Sequence, residues 1–240
     1  MSNVTRREFN QMAAASAVVG TLGAPALVRA QPKALKVGVL LPRSGVQAFV
    51  GQSCQLGADI APALIREMYG VELELMNADN ETNVEVARAR AEKLINDGAQ
   101  VLVGPFDSGA ASAIAQVAEQ RKVPFIVNIA AAPQITEQGY KYTVRNFPTA
   151  VDLIRNGLGL MRDIFQSTST APRSAVFMHV NDTFGTSMGN GIKAILPKLD
   201  YLPFKVVETI AYDPAARDLS VEVAKANDAA ILVRIDRRSE

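Results

Sequence analysis

One cysteine, one histidine and no tryptophan occur in the 240 residues, and each scarcity removes a class of chemistry. Cys54 alone can form no internal disulfide and has no second thiolate with which to build a metal cage. His179 is the sole imidazole. A zinc site of three nitrogen ligands is therefore excluded, and a serine–histidine–aspartate device could use only that ring. Charge of one sign is missing as well. Lys and Arg number 25 against 24 Asp and Glu, a net of +1, which leaves no basic face for nucleic acid. No Gly-Lys-Ser/Thr is present, so there is no P-loop. Gly45 and Gly51, after the first apolar run, do not make G-x-G-x-x-G, so the dinucleotide fingerprint is also absent. No cofactor motif is found, and none is expected to be needed.

A long, strongly apolar run is lacking too. The nearest is Met12 to about Val28, rich in Ala and Gly and short for a spanning helix. It follows Thr5-Arg6-Arg7-Glu8-Phe9 and ends at Val28-Arg29-Ala30. This is the order of a twin-arginine export signal with a small-residue cleavage site, so residues 1–30 are expected to be an address label and Gln31 the first mature residue. An uncleaved anchor or amphipathic start helix is the alternative.

What the chain does have is an alternation of short apolar runs and periodic segments. Leu35–Leu41 predicts a buried strand, Pro42–Gln52 a loop, and Gln55–Tyr69 a helix with Leu56, Ile60, Leu64 and Met68 on one face, closed by Gly70. Val71–Asn77 predicts an edge strand, and Asn83 or Val84 to Asp97 a helix closed by Gly98, with Asp79 and Asn83 serving turn and cap. Val101–Val103 predicts a strand, followed by a turn at Gly104–Pro105 and a helix opening at Asp107 or Ser108. Val123–Asn128 is another strand and Tyr142–Pro148 a short extended piece. After Pro148 the pattern restarts. A helix is expected from Thr149 to Ser167 with Leu153, Gly157, Leu160 and Ile164 on one face. Strands are expected at Ser174–Val180, Phe204–Ile210 and Ala229–Ile235. A helix should reach about Leu199 after the first of these, and a mostly helical stretch should follow the second. The expected architecture is α/β, with two doubly wound parallel-sheet lobes spanning 31–148 and 149–240. Ending directly after a strand leaves a sheet face uncovered, so the second lobe is expected to be incomplete, the chain a truncated product or fragment, and unstable or aggregating by itself.

In such sheets a ligand sits off the carboxyl ends of the strands. Three loops meet there: Pro42–Gln52, Gly104–Gly109 and Asn128–Pro133. All are rich in small residues that let a ligand approach the backbone. The helix start at Ser108 and Gly109 offers orphan N–H groups and the positive end of a dipole to an anion such as a carboxylate. Asp107 or Ser108 could equally be an ordinary N-cap. His179 at the end of an apolar strand reads as a core or cleft-rim histidine, and Cys54 as structural. No G-x-S-x-G elbow surrounds Ser108, which argues against a hydrolase.

The succession KVGVLLPRSGVQAFVGQ, AEKLINDGAQVLVGP, PFIVNIAAAP, QGYKYTVRNFPT and HVNDTFG, behind an export signal, resembles the periplasmic substrate-binding proteins of the branched-chain amino acid type, with the type I fold. The resemblance runs from about Leu35 to Glu240. It implies a non-enzymatic, monomeric protein of the periplasm that closes two hinged lobes on a small ligand, an amino acid or organic carboxylate. It further implies that the ligand is handed to an ABC permease, with membrane contact only through that permease. A sensing receptor of the same fold is the alternative, and an exported hydrolase a more distant one. The resemblance implies that Ser108 and Gly109 bind the ligand carboxylate together with the backbone of Ile129, Ala130 and Ala131. Phe49 or Val50 would supply the packing residue of the first loop, and Phe184 the aromatic of the second lobe. At three of these places the family's threonine or tyrosine hydroxyl is missing, at Ala131, at Phe49 or Val50, and at Phe184. A pocket without those handles is expected to favour an apolar or aromatic carboxylate, or a hydrophobic amide or amino acid, over a strongly polar amino acid.

Overall fold

The computed structural model describes residues 34–170, 172–199, 202, 204–226 and, as backbone, 231–235. The export signal expected at residues 1–30 lies outside the described residues. Five parallel strands form the first sheet: β1 (Leu35–Leu41), β2 (Leu73–Asp79), β3 (Val101–Gly104), β4 (Phe125–Val127) and β5 (Thr143–Arg145), in the order β2-β1-β3-β4-β5. Three helices connect them: α1 (Ala48–Tyr69), α2 (Val84–Asn96) and α3 (Ser108–Arg121). The chain steps outward from β1 to β2, then returns to place β3 on the other flank of β1. The crevice between the loops after β1 and β3 is thus a topological switch point, where α/β sheets hold ligands.

Successive strand residues point to opposite faces, and the two faces of this sheet are covered differently. On one side α2 and α3 bury Ala87, Ala91, Leu94, Ala111, Ile114, Ala115 and Ala118 against Leu40, Leu102, Phe125 and Val127. On the other side α1 lays Cys54 and Ala58 over Val37, Val39 and Leu41.

The second sheet has the order β7-β6-β8, with β6 (Ser174–Val180) between β7 (Lys205–Tyr212) and β8 (Ile231–Ile235), all parallel. Helices α4 (Ala150–Thr168) and α5 (Thr183–Ile195) pack Ile154, Leu158, Met188 and Ile192 against Ala175 and Phe177. On the opposite face Val176, Met178 and Val180 meet Ile210, Tyr212 and Ala226, the last just past the short helix α6 (Ser220–Lys225). The first sheet ends at β5, and α4 is the first helix packed on the second sheet. Among the described residues, no helix is long and apolar enough to cross a membrane.

Several expectations are corrected. Helix α1 begins at Ala48, seven residues before the expected Gln55, so five of the eleven residues of the loop expected from Pro42 to Gln52 are helical. Gly51 is not a loop glycine. A Cβ there would come within 2.0 Å of the Pro42 carbonyl oxygen, so the bare backbone lets the first loop lie against the helix. The helix does end at Gly70, whose φ of 67° and N–H bond to the Arg66 carbonyl close it. Its expected buried face is exposed: Leu56, Ile60, Leu64 and Met68 are 72%, 59%, 47% and 67% accessible. In α4 the buried stripe runs through Ala150, Ile154 and Leu158, while Leu160 and Ile164 of the expected face are exposed. After β7 the chain turns before it becomes helical. Asp213 accepts from the Ala215 N–H and Asp218 from the Ser220 N–H, side-chain turns that compete with a helix and leave only Ser220–Lys225 helical.

Candidate functional site

The β3–α3 turn begins at Gly104. Its φ is +124°, and a Cβ there would lie 2.1 Å from the Leu40 carbonyl oxygen, so only glycine lets β3 cross this close to β1. The choice between Asp107 and Ser108 as cap is settled by geometry. Asp107 has extended backbone, and its side chain accepts from the Ala110 N–H at 2.7 Å. Such a cap contributes about 1 kcal/mol. Ser108, the first helical residue, is relieved of that duty. It is fully buried, and its hydroxyl oxygen receives the Ala132 N–H at 3.4 Å. That long bond brings Ser108 up to the loop after β4.

In this loop the carbonyl oxygens and the N–H groups have different fates. The Ala130 and Ala132 carbonyls both accept from the Arg145 guanidinium, the first in a short bond and the second at 2.7 Å from Nη2. The Ala131 carbonyl accepts from the Ala150 N–H at 2.7 Å. The N–H groups of Ile129, Ala130 and Ala131 have no acceptor among the described residues. Ala130 and Ala131 are nearly fully buried, 1% and 3% accessible. Buried backbone donors need a partner. A run of them beside a serine hydroxyl and a helix start suits an anion or a carboxylate. One residue earlier, the Asn128 Oδ1 is a buried acceptor with no partner among the described residues.

Arg145 stands at the end of β5, its Nε donating to Thr136 Oγ1 at 3.3 Å. Burial pushes its pKa down, while Glu137 and Asp152 oppose that shift, and a guanidinium stays charged throughout. Asp152 completes a reciprocal cap with Thr149 at the start of α4. The Thr149 hydroxyl and N–H hold its carboxyl below the usual range, with smaller help from Arg155 and Arg145.

The second lobe approaches the same corner. Helix α5 opens on Asp182, which accepts from the Gly185 N–H at 2.7 Å. A Cβ on Gly109 would lie 3.4 Å from Thr183 Oγ1, so the starts of α3 and α5 meet across the lobes. Ser187 Oγ lies 3.2 Å from Gln134 Oε1, and the hydroxyl can donate across the same boundary. Beside this bond opens a groove of about 670 Å³, lined by Gln134 and Glu137 on one side and Thr183, Ser187 and Asn190 on the other. A second hollow of about 470 Å³ lies off the β2 edge beside Asp79, Arg90 and Lys93. There Arg90 pairs with Glu81 and Lys93 with Asp97, exposed contacts that satisfy each other.

The structure thus brings Ser108, Gly109, Ile129, Ala130 and Ala131 to one corner. Phe184 sits in the first turn of α5, half-buried against both apolar clusters of the second lobe. Phe49 lies in the first turn of α1, 70% exposed, and Val50 beside it is half-buried. Both belong to a helix rather than to the loop expected there. Asp79 and Asn83 serve as turn and cap. Asp79 accepts from the N–H groups of Arg43, Ser44 and Glu81, and Asn83 from those of Glu85 and Val86. His179 is buried in the other lobe, its Nδ1–H donating to the Val180 carbonyl at 2.9 Å. A Cβ on Gly189 would lie 2.6 Å from its Nε2, so the ring is packed beneath α5 and cannot activate Ser108. Burial pushes the Cys54 thiol up, away from reactivity. Among the described residues no group of three or more His, Cys, Asp or Glu could hold a metal ion. Arg145, Ala150 and Gln134 were not legible as site residues. Only the Arg in YTVRNFP, a lone charge in an apolar extended piece, hinted at a buried role.

Comparison with known proteins bears on the family and the fold. The family model for the periplasmic binding protein matches residues 34–233. The Leu/Ile/Val-binding protein of Escherichia coli strain K12 is 25% identical over 167 residues, 68% of this chain and 44% of that protein. The structure of an ABC-transporter solute-binding protein from R. palustris in complex with 4-hydroxybenzoate superimposes with a TM-score of 0.69 at 22% identity, covering 85% of this chain and 54% of that one. The branched-chain amino acid transporter substrate-binding protein of Streptococcus pneumoniae, in complex with isoleucine, gives 0.69 at 20% identity, covering 84% and 57%. The match spans a little under half the length of the curated relative. With the switch-point crevice, the paired parallel-sheet lobes and the family match in agreement, this chain belongs to the periplasmic binding protein family.

Proposed function

We propose that the chain is the ligand-capturing part of a solute-binding protein that delivers a small carboxylate to an ABC permease in the periplasm. In this reading residues 1–30 are its export label, and the parts on either side of residue 148 are the two lobes of a monomeric clamshell. It carries out no chemical step: Ser108 has no base, and its role is to hold an oxygen. One observation carries the reading. Three backbone N–H groups without acceptors among the described residues lie in the loop that Ala132 ties to the Ser108 hydroxyl, beside the capped start of α3. Together they offer donors to a carboxylate, with the Asp107 carboxylate beside them engaged by the Ala110 N–H.

The surroundings favour an apolar or aromatic ligand. Ala130, Ala131 and Ala132 give the loop no polar side chain, and Phe184, in the first turn of α5, is a ring without a hydroxyl. A relative captured with 4-hydroxybenzoate supports an aromatic acid, and one captured with isoleucine supports an apolar amino acid. The buried Asn128 Oδ1 is an acceptor that an ammonium or phenol hydroxyl could use. Calorimetric titration of the chain with benzoate, 4-hydroxybenzoate, L-leucine and L-glutamate tests the proposal. Benzoates or leucine should bind more tightly than glutamate, and Ser108→Ala should weaken that binding about tenfold or more. Preferential binding of glutamate, or equal binding by Ser108→Ala, would overturn it.

A further inference from the structure

The carbonyl oxygens of the loop after β4 are gathered by the segment that crosses from one lobe to the other. Arg145, the last residue of the first sheet, takes those of Ala130 and Ala132, and Ala150, the first residue of α4, takes that of Ala131. Three consecutive peptide carbonyls are therefore engaged from the crossing segment. The N–H groups of Ile129 to Ala131 are left over, and the Ala132 N–H reaches Ser108. Ala130, Ala131 and Ala132 have no polar side chain with which to fix the loop's conformation, and alanine backbones have many alternatives. Something outside the loop must choose this one.

We infer that Arg145 is a positioning residue which fixes the Ile129–Ala132 loop in its donor-presenting form and joins ligand capture to the lobe crossing. A planar guanidinium offers several N–H donors in a rigid fork and can bridge two carbonyls, whereas an ammonium is a point charge on a flexible stem. The crossing is short. From Arg145 the chain reaches Ala150 through Asn146–Thr149, and the Thr149–Asp152 cap anchors α4 where Ala150 meets the loop. Ala150 is itself fully buried in the apolar cluster of the second lobe. A ligand that locks the loop N–H groups therefore also stiffens the segment that joins the two sheets. The guanidinium acts through the peptide groups that it holds.

This inference rests on the loop being the carboxylate cradle, and its test separates the two. Amide hydrogen exchange on the full chain without ligand should show Ala132 and Ala150 exchanging about tenfold or more faster in Arg145→Ala, with Ala91 in α2 unchanged. In Arg145→Lys, a charge without the fork, most of that acceleration should remain. Titration with benzoate should then show both variants weakened about tenfold or more relative to the parent chain, with their melting midpoints much less affected. Unchanged exchange at Ala132 and Ala150 in Arg145→Ala, or parent-like exchange and binding in Arg145→Lys, would overturn the positioning role. If the parent chain binds neither benzoate nor L-leucine, the cradle reading fails. The exchange measurement, made without ligand, still decides what Arg145 does to the loop.

Discussion

Two helices on opposite faces of the first sheet make an instructive pair. Helix α1 carries the cleaner amphipathic sequence, yet its regularly spaced Leu56, Ile60, Leu64 and Met68 face outward, and the sheet is met by the small residues Cys54 and Ala58. Helix α3 looks weakly patterned, with five Ala and a single Ile and Val in its fourteen residues, yet eight of its residues are buried. It packs against the sheet and α2 at once. The periodicity of a helix marks where its apolar stripe lies and leaves open what that stripe meets. A small-residue helix can be more central than an oily one, because alanine lets backbones approach on several sides.

Deleting a buried side chain on α3 should widen that contrast. Ile114→Ala on α3, fully buried against the sheet, should destabilise the chain by about 2–5 kcal/mol, read as a lower denaturant midpoint at unchanged slope. A loss below about 1 kcal/mol would mean that α3 is not the better-packed helix.

Acid should sharpen the comparison from the α1 side. Burial alone would raise the Asp79 carboxyl, but the bonds from Glu81, Ser44 and Arg43 outweigh it and hold the carboxyl below its ordinary value of 3.8. A depressed carboxylate gives stability that is present above 3.8 and lost as pH falls through the lower folded value. Asp79 pins the loop that enters α1. Below about pH 3.8 amide exchange near Arg43 and Ser44 should therefore quicken before that of α3, and Asp79→Asn should remove the difference. Simultaneous loss of protection in both regions would contradict this order.

The smallest effect belongs to the exposed stripe. Ile60→Lys should change stability by no more than about 0.5 kcal/mol. A loss above about 2 kcal/mol would show that this stripe is covered in solution, and α1 would then resemble α3 after all.

Strands were the most legible part of the fold. Parallel strands are short apolar runs between turn residues, and Leu35–Leu41 and Ser174–Val180 lie where expected. Helix beginnings were less so. Gly51 looked like loop chemistry because a glycine required by close packing and one required by a turn are the same letter. In α4 a stripe through Leu160 and Ile164 and another through Ile154 and Leu158 both had apolar periodicity, and only the neighbours decide between them. For the site, the small residues of the loops and the helix start at Ser108 were readable from composition and spacing. The cap was not, since aspartate and serine both suit it. Nor was the hold of Arg145 on Ala130 and Ala132, which depends on residues 13 and 15 positions apart meeting through β5.

The order of strands in the first sheet has a consequence for the birth of the protein. Every pairing in that sheet joins segments lying between Leu35 and Arg145, and none waits for a strand of the second sheet. During synthesis, therefore, all five strands can find their neighbours while the second lobe is still being made. Arg145, the last of those residues to emerge, closes the sheet and takes the carbonyls of Ala130 and Ala132, and Ala150 follows to take that of Ala131.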